Sequence, residues 1–213
     1  MVNLLVSIEG NIGSGKSTIM KYLRQLENEQ ILFVDEPVDE WINIKNEDGQ
    51  NCLELFYKDK KNNSFWFQIL AYITRLKNLL DVVENNSNKI IICERSIYTD
   101  HHVFAKMLYE TGNIKEMEWK TYLYWFNTFK SKTELDLILY VNTDPITCFQ
   151  RINIRNRNEE KNKIEINYLE NCHKNHIEWL SNSETKIVTI DGNKDMNNMF
   201  SQVNVVIKEL IIC

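Results

Sequence analysis

Gly10-Asn11-Ile12-Gly13-Ser14-Gly15-Lys16-Ser17-Thr18 decides the fold of this chain. The stretch follows the apolar run Leu4-Leu5-Val6-Ser7-Ile8 and leads into a helical segment, Ile19 to Gln25. Its spacing, G-x-x-x-x-G-K-[ST], is that of a phosphate-binding P-loop set between a strand and a helix. The glycines permit backbone conformations that other residues resist, so successive N–H groups can point inward at phosphate oxygens. The helix behind adds the positive end of its dipole. Lys16 can reach the outer phosphates, and the Ser17 hydroxyl suits Mg²⁺. A glycine-rich turn with an incidental lysine would need neither the strand before it nor the helix after it. The stretch therefore predicts binding of a nucleoside triphosphate, with residues 10–18 as the contact set.

Working outward, apolar β-branched runs recur at Leu4–Ile8, Ile31–Val34, Ile90–Cys93, Leu137–Val141 and Ile187–Ile190, with helical segments between them. Continuous apolar strands separated by helices indicate a parallel sheet covered on both faces. The expected fold is a doubly wound α/β domain with a five-stranded parallel sheet. Its 213 residues suit one domain, residues 1–213. No repeat or low-complexity linker interrupts it, and there are only two prolines.

Composition narrows the partners. A net charge of −5 argues against coating nucleic acid or binding a membrane surface, both of which need basic patches. No apolar run has the length of a membrane span, and the first strand begins too near Met1 for a signal or transit peptide. The five cysteines, Cys52, Cys93, Cys148, Cys172 and Cys213, are scattered without a C-x-x-C pair. They read as reduced thiols in a cytoplasmic setting, with a nuclear one not excluded. The sequons at Asn62 and Asn85 carry little weight without secretion.

In such a sheet, ligands bind beyond the carboxyl ends of the strands. The second strand exits into Asp35-Glu36-Pro37 and the third into Glu94-Arg95-Ser96. The fourth exits into Asn142-Thr143-Asp144-Pro145, a helix cap with proline at the first helical position. The fifth exits into the turn Asp191-Gly192-Asn193. Carboxylates on the P-loop rim suit phosphoryl transfer to an alcohol, which needs a base for the hydroxyl and an acid for hydrated Mg²⁺. Each acid read alone is equally a helix cap or a solvated turn residue. Arg95 is a cation for the transferring phosphate, or else an ion-pair partner of Glu36 or Glu94.

A long helix is expected from Ser64 to about Val83, apolar on nearly every face and so largely buried. Gln68 and Arg75 interrupt it on one face, with Ala71 between them. Their buried polar groups need partners, and Asp100, on a helix starting near Ile97, is a candidate for Arg75. An amide can pair with a base edge, and Phe104, one turn beyond Asp100, can stack on the base. An internal polar network is the plainer account from spacing alone. The charged segment Arg151 to Lys161, with Arg151 and Arg155 on one helix face, fits a lid over the phosphates or a solvated helix face. His173 and His176 lack a third metal ligand, and packing explains them better.

Taken together, these motifs resemble the deoxynucleoside kinase family, which contains deoxycytidine, deoxyguanosine and insect-type deoxynucleoside kinases. The likeness rests on Ile8-Glu9 with the P-loop, Glu36-Pro37-Val38 followed by Trp41, and the Gln68…Arg75 helix. It continues through Glu94-Arg95-Ser96-Ile97-Tyr98, Arg151…Glu160, and Tyr168-Leu169-Glu170 leading to His176-Ile177-Glu178-Trp179. The resemblance implies a P-loop kinase fold with an arginine-rich lid at about 151–163, and ATP with Mg²⁺ as donor. Glu36 would be the base on the sugar 5′-hydroxyl, with Arg95 holding both. Glu94 and Ser17 would organise Mg²⁺, and Lys16, Arg151, Arg155 and Arg157 would surround the phosphates. Tyr57 and Glu160 would bind the 3′-hydroxyl. Gln68 would pair with the base edge, and Trp41, Phe67 and Phe104 would wall it. The loop Asp191 to Met196, with Asp195, would contact the donor base.

The family pattern at Ala71, Arg75 and Asp100 implies deoxycytidine, deoxyadenosine or deoxyguanosine over thymidine. His101-His102 departs from several relatives and leaves the back wall of the pocket open. Competing expectations are a thymidine-preferring kinase, a nucleoside monophosphate kinase and a nucleotide-dependent switch. Members of the family are typically homodimers, for which the aromatic segment Trp119 to Phe129 is either the face or part of the core.

Overall fold

A computed structural model describes residues 3–157 and 163–212. The apolar runs become β1 (Leu4–Glu9), β2 (Ile31–Val34), β3 (Ile90–Glu94), β4 (Leu137–Asn142) and β5 (Lys186–Asp191). They form one parallel sheet in the order β2-β3-β1-β4-β5. Each strand end lies within one residue of the sequence reading. The strands reach further than their apolar runs because polar end residues still pair: Glu94 opposite Ile8, Tyr140 opposite Glu9, Asp191 opposite Asn142. Those ends form the rim that carries the site.

The helices are α1 (Lys16–Arg24), α2 (Val38–Asn43), α3 (Cys52–Lys58), α4 (Lys60–Asn85), α5 (Ile97–Thr99), α6 (Lys106–Glu110), α7 (Glu116–Phe129), α8 (Pro145–Arg155), α9 (Ile166–Ser181) and α10 (Met196–Ile212). Side chains alternate across a strand, so the sheet feeds two cores. Val6, Ile8, Ile92, Leu139 and Val141 pack with Ile19 and Leu23 of α1 and Met199 and Val203 of α10. Ile138 and Tyr140 face the other way, into a cluster with Tyr72 and Leu76 of α4 and Trp179 of α9. With both faces covered, the strands cannot alternate apolar and polar, and this is why they read as continuous runs.

Helix α4 begins before Ser64 because the Asp59 side chain accepts from the Asn62 N–H and caps its first turn. Its burial is less complete than the apolar count suggests, since Ile73 is 43 % exposed. Between α5 and α6 the chain forms a π-helical turn, Asp100–Ala105. This wide turn sends Asp100 and Phe104 to the cleft. It also turns both histidines away: His101 stacks on Phe126 at 4.0 Å and His102 on Trp179 at 5.5 Å. The back wall of the pocket therefore owes nothing to them. Helix α7 divides in the same manner, burying Tyr122 and Phe126 and exposing Met117, Tyr124 and Trp125.

Candidate active site

The P-loop supplies the donor end of the cleft. Gly10 and Gly13 sit at φ +146° and +79°, and a Cβ on either would lie 2.7 Å from a backbone carbonyl, of Val141 or of Cys148. Neither position tolerates a side chain. Lys16 folds back on the loop, its Nζ donating to the Gly10 carbonyl at 3.1 Å and the Asn11 carbonyl at 2.8 Å. Burial, seconded by the Arg95 charge, lowers Lys16 to about 8. Asn11 ties the loop to α9, donating from Nδ2 to the Leu169 carbonyl at 2.8 Å while Oδ1 accepts from the Ile12 N–H. The Ser14 hydroxyl is buried without a partner among the described residues.

Both acidic exits reach this rim. Ser17 Oγ donates to Glu94 Oε1 at 2.7 Å. Burial first, and the nearby Glu36 charge second, raise the Glu94 carboxyl above its ordinary value. Glu36 is held by two guanidiniums. Arg95 Nη1 donates to its Oε1 and Oε2 at 2.7 and 2.8 Å, and Arg75 Nη2 donates to Oε1 at 3.2 Å. Burial alone would raise Glu36, but Arg95, Arg75 and Lys16 overcome it and hold the carboxyl down at about 2. Arg75 also donates from Nε to Asp100 at 2.9 Å and from Nη1 to the Glu94 carbonyl at 2.9 Å. Of the two roles open to Arg95, the ion pair with Glu36 is formed. Arg95 has a φ of +63°, a left-handed conformation rare for so long a side chain.

Beyond this rim the cleft, about 900 Å³ in volume, continues into an aromatic pocket lined by Trp41, Tyr57, Phe67, Gln68, Ala71 and Phe104. Phe67 stacks on Phe56 at 4.5 Å and meets the edge of Trp41 at 5.5 Å, while Trp41 Nε1 donates to Thr74. Gln68 is buried in this wall, and its Oε1 has no partner among the described residues. On the donor side the cleft is lined by Arg151, Arg155, Arg157, Lys194, Asp195 and Met196. Arg151 Nη1 donates to the Ser14 carbonyl at 3.2 Å, and Asp195 caps α10 by accepting from the Asn198 N–H at 3.0 Å. Glu160 and residues 158–162 of the expected lid lie outside the described residues.

The structure thus brings the described candidates to one cleft, except Gly10, Asn11 and Ser14, which are buried within the P-loop and do not line it. Sequence reasoning missed Phe56 and Tyr168, which also line it, and Lys60, whose ammonium stands 4.4 Å from the Tyr168 ring. Tyr168 stood in a quoted motif without a role, and Phe56 repeats the helical spacing of Leu53, the only signals available. The fully buried Glu9 was missed as well. His176 is a packing residue, its buried ring donating from Nδ1 to the Cys172 carbonyl at 2.7 Å. Among the described residues no helix is long and apolar enough to cross a membrane.

A P-loop, an acid–guanidinium rim and an aromatic pocket holding a buried amide, all in one cleft, define a P-loop phosphotransferase. The chain belongs to the deoxynucleoside kinase family, which it matches over residues 6–212. It is 34 % identical to deoxycytidine kinase of Homo sapiens, with 97 % of this chain and 90 % of that protein covered. It is 34 % identical to deoxycytidine kinase 2 of Gallus gallus, over 91 % of this chain and 83 % of that one. Mitochondrial deoxyguanosine kinase of Xenopus laevis is 36 % identical over 85 % of this chain and 75 % of its own. The chain is an ATP-dependent nucleoside kinase, favoured over the monophosphate kinase and the switch.

Proposed function

We propose that the chain transfers the γ-phosphoryl group of ATP to the 5′-hydroxyl of deoxycytidine, deoxyadenosine or deoxyguanosine, in preference to thymidine. The observation that carries this reading is the Gln68 oxygen, buried and without a partner among the described residues, in the same cleft as Lys16 and Glu36. A buried acceptor without a donor is costly, and the exocyclic amino group of cytosine or adenine is a donor of the right kind. Arg75 and Asp100, paired beside it, take up the space and polarity at the base edge that a 5-methyl group would need. The relatives named as deoxycytidine kinases support the same preference.

In this reading the 5′-oxygen attacks the γ-phosphorus, the bond to the bridging β–γ oxygen breaks, ADP leaves and the hydroxyl proton passes to Glu36. A carboxylate held at about 2 is ionised at neutral pH, so Glu36 can orient the hydroxyl and accept its proton late in a loose transition state. Arg95 fixes Glu36, and Lys16, Arg151, Arg155 and Arg157 take up phosphate charge. Tyr57 and Glu160 bind the 3′-hydroxyl, and Trp41, Phe67 and Phe104 wall the base over Ala71. Asp195 and its loop meet the donor base.

The Ser17 hydroxyl and a Glu94 carboxylate oxygen, 2.7 Å apart beside the loop, are the hard oxygen donors that Mg²⁺ accepts alongside phosphates and water. When bound there, Mg²⁺ would neutralise charge on the transferring phosphates. The exposed Met117, Tyr124 and Trp125 of α7 suit a homodimer face, and the buried free thiols suit the cytoplasm. A coupled assay of ATP turnover tests the reaction class. Turnover should require a deoxynucleoside, and nucleoside-independent turnover would contradict it.

A further inference from the structure

Glu9, the last residue of β1, is fully buried, and the transfer chemistry gives it no part. A buried carboxylate needs compensation. Hydroxyls supply it: Ser96 Oγ donates to Oε1 at 2.7 Å, and Thr99 Oγ1 donates to Oε2. Burial pushes the Glu9 carboxyl upward, and the two hydroxyl bonds oppose that push. Ser96 follows Arg95 directly, and Thr99 lies four residues beyond it. The Arg95 N–H, in turn, donates to the carbonyl of Ile8, the residue before Glu9, at 3.0 Å. Three bonds therefore tie the end of β1 to the segment 95–99.

Arg95 lies in that segment at φ +63°, and a strained conformation persists only where its surroundings over-determine it. What the strain secures is visible in the side chain. Its guanidinium reaches both oxygens of Glu36 and the Gly10 carbonyl, the latter at 3.3 Å. We infer that Glu9 is a positioning residue for phosphoryl transfer: by gripping Ser96 and Thr99 it fixes the left-handed turn that aims Arg95 at Glu36. This rests on the reading of Glu36 and Arg95 as the pair that handles the 5′-hydroxyl. Glu9 touches no substrate and acts only through Arg95.

The test compares Thr99→Val, which keeps the shape and loses the hydroxyl, with Thr99→Ser, which keeps the hydroxyl, and with Glu9→Gln. Rates are expressed per nucleoside-binding site, counted by calorimetric titration, so that unfolded protein does not lower them. Thr99→Val and Glu9→Gln should lose about tenfold or more in kcat, the scale of a misplaced catalytic group, with both KM values within about threefold. Thr99→Ser should keep the parent kcat. A Thr99→Val kcat within about twofold of the parent after normalisation would overturn the inference, and the threonine pair decides if Glu9→Gln does not fold. Glu36→Gln in the same assay separates the two levels. If it retains kcat, the reading of Glu36 fails; if it loses kcat while Thr99→Val does not, only the role of Glu9 fails.

Discussion

The two ends of the cleft are built by different means. The donor end is backbone: glycine dihedrals, loop carbonyls and the start of α1 make a cradle in which Lys16 and Ser17 supply the side-chain chemistry. The acceptor end is side chain. Glu36 follows β2, Arg75 and Gln68 come from α4, Arg95 follows β3, and Asp100 opens the π-helical turn. A cradle made of backbone is fixed by one local stretch and can be used with any acceptor. A network of buried charges depends on many elements at once, and small changes in it redirect the reaction.

That contrast predicts how each end breaks. The largest effect should follow Glu36→Gln, which keeps the shape and removes the charge. Its kcat should fall about 10²- to 10⁴-fold, the range for loss of a general base, with nucleoside KM changed by no more than a few-fold. Steady-state kinetics with deoxycytidine and ATP checks this, and a near-normal kcat would mean that Glu36 only orients the sugar.

Asp100→Ala comes next and acts on stability. It leaves Arg75 buried without its closest carboxylate, and removing one partner of a buried pair destabilises by about 3–5 kcal/mol. Because Arg75 keeps Glu36 and the Glu94 carbonyl, the lower end of that range is expected in denaturant unfolding. An unchanged unfolding midpoint would show that the pair contributes nothing net.

Gln68→Ala should weaken deoxynucleoside binding by about 1–3 kcal/mol, the penalty for an unpaired buried partner, and leave ATP binding alone. An equal loss at both ends would deny the separation of the two regions. The donor end should answer to pH through Lys16. Its folded value of about 8 lies below the ordinary 10.5, so it is charged below about pH 8 and loses its proton above that in the free enzyme. A triphosphate requires the charged form. ATP affinity should be flat below about pH 8 and fall by up to about tenfold per pH unit above it, with uptake of about one proton. Calorimetry in buffers of different ionisation enthalpy measures that proton, and its absence at pH 9 would contradict the assignment.

The same contrast explains what could be read from the sequence. Strands covered on both faces announce themselves as apolar runs, and Gly10 to Ser17 carries its dihedral requirements in its glycines. Glu36, Glu94 and Arg95 were legible because strand ends face one rim. The strained φ of Arg95 was not, since nothing in Glu94-Arg95-Ser96 calls for a left-handed residue; the grip of Glu9 and Ile8 on that segment comes from β1, far away in the chain. The π-helical turn was equally hidden. An ordinary helix through Asp100 keeps His101 and His102 as possible pocket wall, whereas Phe126 and Trp179 capture them in the folded protein. The faces of α7 were ambiguous because aromatic residues occur on both.

The central claim is that the acceptor end reads an amino-bearing base through Gln68, Arg75 and Asp100. Initial rates with deoxycytidine, deoxyadenosine, deoxyguanosine and thymidine at saturating ATP test it most directly. The account predicts that at least one of the first three exceeds thymidine in kcat/KM. Thymidine as the best of the four would contradict it.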